Sequence, residues 1–382
     1  MLRWRTPRVW VICTVAALVV LATGAISRDA LGDLTRTVAP ILGFLVMITL
    51  TSELADEAGV FTVAASRASR LARGSVLGLF FVVVALATVS TVLLSLDTTA
   101  VLLTPVVLSL AELCRLPPLP FAMVTVWLAN TASLLLPVSN LTNLLAFQRL
   151  HTGAWEFVQH TAAPAAVAVV GTVLVMLARY HRSLRGRFDV PPLIDANDRQ
   201  LFWIATAVCI AIGPAVLVGV APWLVASAAA LVLAIAFAAR RPEVLRVRLV
   251  PWRVVLAVSG LFVLVEALQQ HGLNTALARA TGNGEGLGDL LRLTGVAAGS
   301  ANLVNNLPAF LALEPTAASA HRLVALLIGT NVGPHILPWG SLATVLWIQR
   351  CRARQVDVPL REFILVGAVG VPFVLLACVL AI

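Results

Sequence analysis

The sequence predicts an all-α polytopic membrane protein made of two inverted repeats. Each repeat holds a re-entrant helical hairpin and a broken transmembrane helix, for about nine full spans plus two hairpins. Three observations predict it: long continuous apolar blocks, arginines confined to short stretches between them, and a pair of Asn/Pro-containing segments that align without gaps.

Hydrophobic residues make up 60% of the 382 and charged ones 12%, against about 25% charged in soluble domains. The apolar runs fall at 9–26, 38–54, 75–94, 121–136, 162–177, 201–220, 223–239, 254–268 and 363–382. A spanning helix needs roughly 20 mostly apolar residues. A β-barrel would instead alternate polar and apolar residues in segments of about ten. The first run follows Arg3, Arg5 and Arg8 but is long and lacks a small-x-small cleavage site, so it is read as a retained span.

The net charge of +9 sits almost entirely on arginines in short loops rather than on one aromatic-studded face, which argues against a nucleic-acid partner. These arginines cluster at 3–8, 67–73, 179–187, 240–248 and 350–361. The positive-inside rule places all of these clusters, and the N-terminus, in the cytoplasm. The crossings then require 75–114 to enter and leave from the cytoplasmic side as a hairpin with its tip near Leu96-Asp97-Thr98. They require 286–314 to do the same from outside, with its tip near Asn305-Asn306. Irregular backbone at membrane depth persists only where protein or a water-filled cavity satisfies it, so both tips are expected at a central cavity.

Residues 130–141 (NTASLLLPVSNL) align without gaps to 331–342 (NVGPHILPWGSL), and the register continues to Gln148-Arg149 against Gln349-Arg350. A weaker match sets Glu53 and Gly59 beside Glu266 and Gly272. The expected division is therefore a first repeat at 1–178 with its hairpin at 75–114 and broken helix at 121–148. A basic loop and connecting span occupy 179–221. The second repeat is 222–382, with its hairpin at 286–314 and broken helix at 319–348. The cysteines Cys13, Cys114, Cys209, Cys351 and Cys378 lie far apart with no CxxC or Cys/His spacing, so neither a disulfide, a metal nor a cofactor is expected.

An ionisable residue at membrane depth is functional by default, and Asp97 is the only carboxylate at either hairpin tip. Its alternative role is to cap the helix beginning at Thr98. Thr98 and Thr99 accompany it, and the opposing tip offers Asn302, Asn305 and Asn306 before Pro308, a residue suited to the first turn of a restarted helix. The broken spans add Asn130, Thr131, Ser139, Asn140 and Asn143 from one half and Asn331, His335, Ser341 and Thr344 from the other. Pro137 and Pro338 interrupt the helical bonding. Free half-helix N-termini attract anions and unwound carbonyls attract cations, so this set is read as a site for a small solute and a coupling proton or cation. Asp97 and Glu266 are the candidates for coupling. Each Asn or Thr taken singly is equally explained by interhelical hydrogen bonding. No HExxH, GxSxG or paired intramembrane aspartate points to an enzyme, and two opposed hairpins fit a carrier better than a channel.

The segments Asp56-Glu57-Ala58-Gly59-Val60-Phe61, Leu96-Asp97-Thr98 with Leu103-Thr104-Pro105, Asn130-Thr131-Ala132-Ser133, Val138-Ser139-Asn140-Leu141-Thr142-Asn143, Asn305-Asn306-Leu307-Pro308 and Gly340-Ser341-Leu342-Ala343-Thr344 carry a resemblance. Over residues 38–382 the chain resembles the ion transporter superfamily, and within it the arsenical pump membrane protein branch beside the citrate-transporter-like permeases. The resemblance implies a multi-pass exporter of arsenite and antimonite in the plasma (inner) membrane, driven by the proton gradient or coupled to a soluble ATPase subunit. A homodimer is an open expectation. The first tip reads Leu96-Asp97 where relatives often carry Asn-Asp, and Asn130 and Asn331 stand where the best-known pumps have Asp. The chain is also expected to lack one N-terminal span of longer relatives. A sodium/proton antiporter or a di- or tricarboxylate permease is the alternative, although the Ser-Asn-Thr tips of the dicarboxylate branch are absent.

Overall fold

The computed structural model describes residues 9–151, 153–190, 193–246 and 249–382. The arginines at 3, 5, 8 and 248 lie outside that set. Among the described residues the fold is helical, with a single isolated bridge between Ser75 and Arg187.

Two series of elements run in the same order. The first comprises α1 (Val9–Ala22), α2 (Arg28–Glu57), the short α3 (Val60–Leu71) and a hairpin of α4 (Val76–Leu93), α5 (Leu96–Thr98) and α6 (Thr104–Leu113). It continues with a broken span, α7 (Leu119–Thr131) and α8 (Leu141–Leu150), and ends in α9 (Ala154–Tyr180). A connecting helix, α10 (Arg199–Leu217), follows. The second series comprises α11 (Pro222–Arg240), α12 (Trp252–Gln270), the short α13 (Leu273–Thr281) and a hairpin of α14 (Leu287–Val304) and α15 (Asn306–Leu313). The broken span is α16 (Ala320–Val332) and α17 (Leu342–Ala353), and α18 (Leu360–Val379) closes the chain. Packing follows the repeat: α1 lies on α12 as α11 lies on α2, α4 on α7 as α14 on α16, and α9 meets its counterpart α18. Gly59 and Gly272 both start the short helices in the left-handed conformation, φ 83° and 92°, where a side chain would be strained.

The charged loops fall on two opposite faces. On one, Arg187 donates to the Arg73 carbonyl, Phe188 to the Gly74 carbonyl and Arg241 to the Glu57 carbonyl, while Arg240 pairs with Asp198. On the other, Arg149 pairs with Glu314 at 3.7 Å and His321 faces Glu285 at 3.8 Å. Hairpin 75–114 has both its ends on the first face. The second hairpin has both ends on the other, where the Arg322 guanidinium bonds the carbonyls of Gly282, Gly284 and Thr316. The hairpins therefore enter from opposite sides.

Helices α2, α4, α9, α10, α11, α12 and α18 are each long and apolar enough to cross a membrane, as is the 96–113 segment. Leu174, Ile210, Leu231, Ile235 and Phe373 stand exposed on α9, α10, α11 and α18, a belt too apolar to face water. By contrast, Pro120–Thr131 of α7 and Arg322–Val332 of α16 are buried throughout. The first halves of the two broken spans thus form the centre of the bundle.

Close backbone approach builds that centre. Gly329 and Gly333 let α16 lie against Ala297 and Ala298 of α14, the small-xxx-small packing that membrane helices use. Gly367 of α18 meets the His335 carbonyl, leaving no room for a Cβ. Gly367→Ala is expected to lower the melting temperature in detergent markedly, because backbone rather than a flexible side chain must move. An unchanged melting curve would contradict this packing.

At the connecting helix, Asp198 accepts from the Gln200 and Leu201 amides and from Arg240 at 2.7 Å. The Arg240 hydrogen bond, then the Leu201 amide, hold its carboxyl below the ordinary 3.8. Its stabilisation is full above that ordinary value and disappears as pH falls through the lower folded value. Asp198→Asn is expected to melt earlier than wild type at neutral pH, with the gap closing in strong acid; a pH-independent gap would exclude the ionic contribution.

Candidate functional site

The first hairpin bends at Leu94-Ser95, one residue before the expected tip. Ser95, not Asp97, caps the restarted helix: its Oγ accepts from the Thr98 amide at 3.1 Å. The capping role considered for Asp97 is therefore already filled. Asp97 is half-buried and has neither an ion pair nor a side-chain hydrogen bond among the described residues. Its neighbours are saturated. Thr98 bonds Ser52 of α2 at 2.7 Å and Ser95 at 2.9 Å, and Thr99 bonds Thr91 and Ser90. A π-helical turn at Thr99–Leu103 follows, a local widening common at functional sites.

The second hairpin breaks at Asn305, whose φ of 93° interrupts the helix and whose amide donates to the Trp339 carbonyl at 3.0 Å. Asn302 is fully engaged. It donates to the Ala298 and Gly333 carbonyls and accepts from the Ile336 and Leu337 amides. It therefore ties the hairpin to the break in the second span, just as Ser139 ties the first break to the Val92 carbonyl. Asn306 is buried.

At the centre, the breaks of the two spans are unequal. Asn331, at the end of α16, crosses to the start of α8. Its Oδ1 accepts from Asn140 at 3.1 Å and Thr142 at 2.9 Å, and its Nδ2 donates to Asn143 at 2.8 Å. Asn143 also donates to the Ser133 and Leu136 carbonyls, and Asn140 caps the Thr142 amide. This knot is closed. The repeat places Asn130 at the end of α7 opposite Ser341 and Thr344 at the start of α17, and α17 packs on α7. Here Asn130 folds back to its own Val126 carbonyl, and Asn130 Oδ1, Ser341 Oγ and Thr344 Oγ1 are buried without partners among the described residues. Ser341 leaves the α17 N-terminus uncapped.

His335 lies beside this open half, fully buried and stacked on Trp127 with ring centroids 4.5 Å apart and planes at 4°. Among the described residues both ring nitrogens, and the indole nitrogens of Trp127 and Trp347, are buried without a hydrogen-bond partner of good geometry. Buried polar atoms in native proteins are nearly always satisfied, so this many together set the open half apart from the closed knot. The donors and acceptors are mixed, and none of the Asn, Ser, Thr and Trp groups carries a formal charge. Thr131 is occupied by the Trp127 carbonyl and Thr172. Glu266, the other coupling candidate, lies one turn from the end of α12, half-buried and bonded by Gln270 at 2.9 Å.

The sequence reading missed Thr142, Ser133, Ser52 and Ser95, which hold the site together, and the Trp127 and Trp347 indoles. Thr142 lies between Asn140 and Asn143, but the repeat sets it against Ala343, so the register alone does not mark it. Nothing local marks Ser52, which meets Thr98 across 46 residues.

The profile of the citrate transporter family matches residues 1–348. The arsenical pump membrane protein of Escherichia coli K12 is 28% identical over 363 residues, covering 88% of this chain and 84% of that protein. An uncharacterized transporter of Mycobacterium tuberculosis is 26% identical over 355 residues, covering 86% and 82%. Among solved structures, the Alcanivorax borkumensis YdaH transporter, described as having an unusual topology, matches with a TM-score of 0.58. Its sequence identity is 16%, and the match covers 98% of this chain and 97% of that one. The fold, the two hairpins and these matches agree: the chain belongs to the citrate transporter family of the ion transporter superfamily and is a multi-pass membrane transporter.

Proposed function

We propose that this protein is a secondary exporter of a small, uncharged, hydroxyl-bearing inorganic solute, arsenite or antimonite, driven by the proton gradient across the inner membrane. One observation supports the reading most: the unpartnered Asn130, Ser341 and Thr344 oxygens around the uncapped start of α17. These groups both donate and accept without bringing a charge, as a neutral trihydroxide requires. A citrate or dicarboxylate would need cations facing it, and the buried Arg322 spends its donors on backbone carbonyls instead. The arsenical pump relatives point to the same solute.

In this reading Asp97, unpaired at the first bend, carries the coupling proton, and His335 contributes a hydrogen bond to the solute. The hairpins move with their broken spans to alternate access. The alternatives, a sodium/proton antiporter or an anion permease, predict different substrates for the same fold. Expression in an efflux-deficient host should confer arsenite and antimonite resistance, and everted vesicles should accumulate arsenite until a protonophore is added. Good expression with no protection would eliminate this substrate, and uptake insensitive to the protonophore would eliminate the driving force.

A further inference from the structure

A second feature lies far from the solute site, at the base of the first hairpin. There the chain enters at Arg73-Gly74 and leaves at Arg115-Leu116, and the linker after α9 crosses between them. Phe188 donates to the Gly74 carbonyl at 2.8 Å and Arg187 to the Arg73 carbonyl at 3.2 Å. These segments enclose a cleft of about 500 Å³ lined by Arg73, Arg115, Arg187 and Asp189. None of the three arginines forms an ion pair among the described residues, and Asp189 is the one carboxylate in the lining.

The surroundings are apolar. Leu71 is 77% exposed, Leu113 55%, Leu77 43% and Val190 43%, so the arginine cleft opens beside aliphatic side chains that need covering. Uncompensated guanidinium groups next to exposed aliphatic side chains complement a ligand with an anionic head and hydrocarbon tails. Guanidinium forks match phosphate oxygens in geometry, and basic pockets at membrane helix ends bind anionic headgroups.

We propose that this cleft binds the phosphate of an anionic phospholipid, fastening the base of the first hairpin to the linker that follows α9. The second hairpin has no equivalent, since its base is held internally by Arg322. The lipid therefore acts on one repeat only.

The test uses the purified full-length chain in detergent, read by native mass spectrometry and by melting temperature. Phosphatidylglycerol should remain bound and raise the melting temperature, whereas phosphatidylcholine and glycerol phosphate should not. Arg115 makes no side-chain hydrogen bond among the described residues, so Arg115→Gln spares the fold and should weaken phosphatidylglycerol binding about fivefold. Changing Arg73, Arg115 and Arg187 together should weaken it on the order of 100-fold. A matched triple change at Arg352, Arg354 and Arg361 should leave binding intact. Equal loss in that control would reduce the effect to diffuse charge. Equal protection by phosphatidylcholine would make it merely apolar, and equal protection by glycerol phosphate would make the ligand a free anion; any of these overturns the proposal.

Discussion

Asn331→Ala and Asn130→Ala are expected to fail in opposite ways, although the two asparagines occupy equivalent positions of the repeat. Removing the Asn331 amide breaks its bonds to Asn140, Thr142 and Asn143. At about 0.6 kcal/mol for each membrane hydrogen bond this costs about 2 kcal/mol. Buried groups left unsatisfied, at roughly 1–3 kcal/mol each, raise the cost. The expected result is a clearly lower melting temperature and poor yield from the membrane. Among the described residues Asn130→Ala removes only a bond back to Val126 and an oxygen without a partner. It should insert and melt almost as wild type while losing about fivefold in solute transport, the value of one hydrogen bond of about 1 kcal/mol to a bound solute. Normal transport by Asn130→Ala, or normal stability of Asn331→Ala, would refute the division into a closed and an open half.

Asp97→Asn is the second large effect. The substitution preserves volume and breaks no hydrogen bond or ion pair among the described residues, where Asp97 has none. Stability should therefore hold while uphill transport disappears. Solute exchange down a gradient separates its two possible roles. Exchange that survives assigns Asp97 to proton coupling, and exchange that is lost assigns it to holding the solute. Near-normal uphill movement by this variant would remove Asp97 from the mechanism altogether.

Much of the architecture was legible because its signals are local. Apolar runs, Pro137 and Pro338, and the Asn-Asn-Leu-Pro bend each act within a turn or two of chain, and the breaks fall where those residues stand. The broken spans run slightly longer than expected, α7 and α8 covering 119–150 and α16 and α17 covering 320–353, since apolar and helix-forming residues continue past the motifs. The short helices α3 and α13 escaped notice because each is too short to register as an apolar run. The left-handed Gly59 and Gly272 that start them mark the repeat more sharply than the acidic residues beside them.

The sequence by itself determined the membrane class, the inverted repeat and the list of polar residues placed at depth, because these depend on composition and register. The tertiary structure alone decided which of those residues are spent and which are free. Asn140, Thr142 and Asn143 of the first repeat are replaced in the second by Ser341, Ala343 and Thr344. The shorter side chains fail to engage the opposing asparagine, so one half closes on itself and the other keeps unpaired oxygens in its core. Side-chain reach across two helices more than 180 residues apart is a property of packing, and no local pattern carries it.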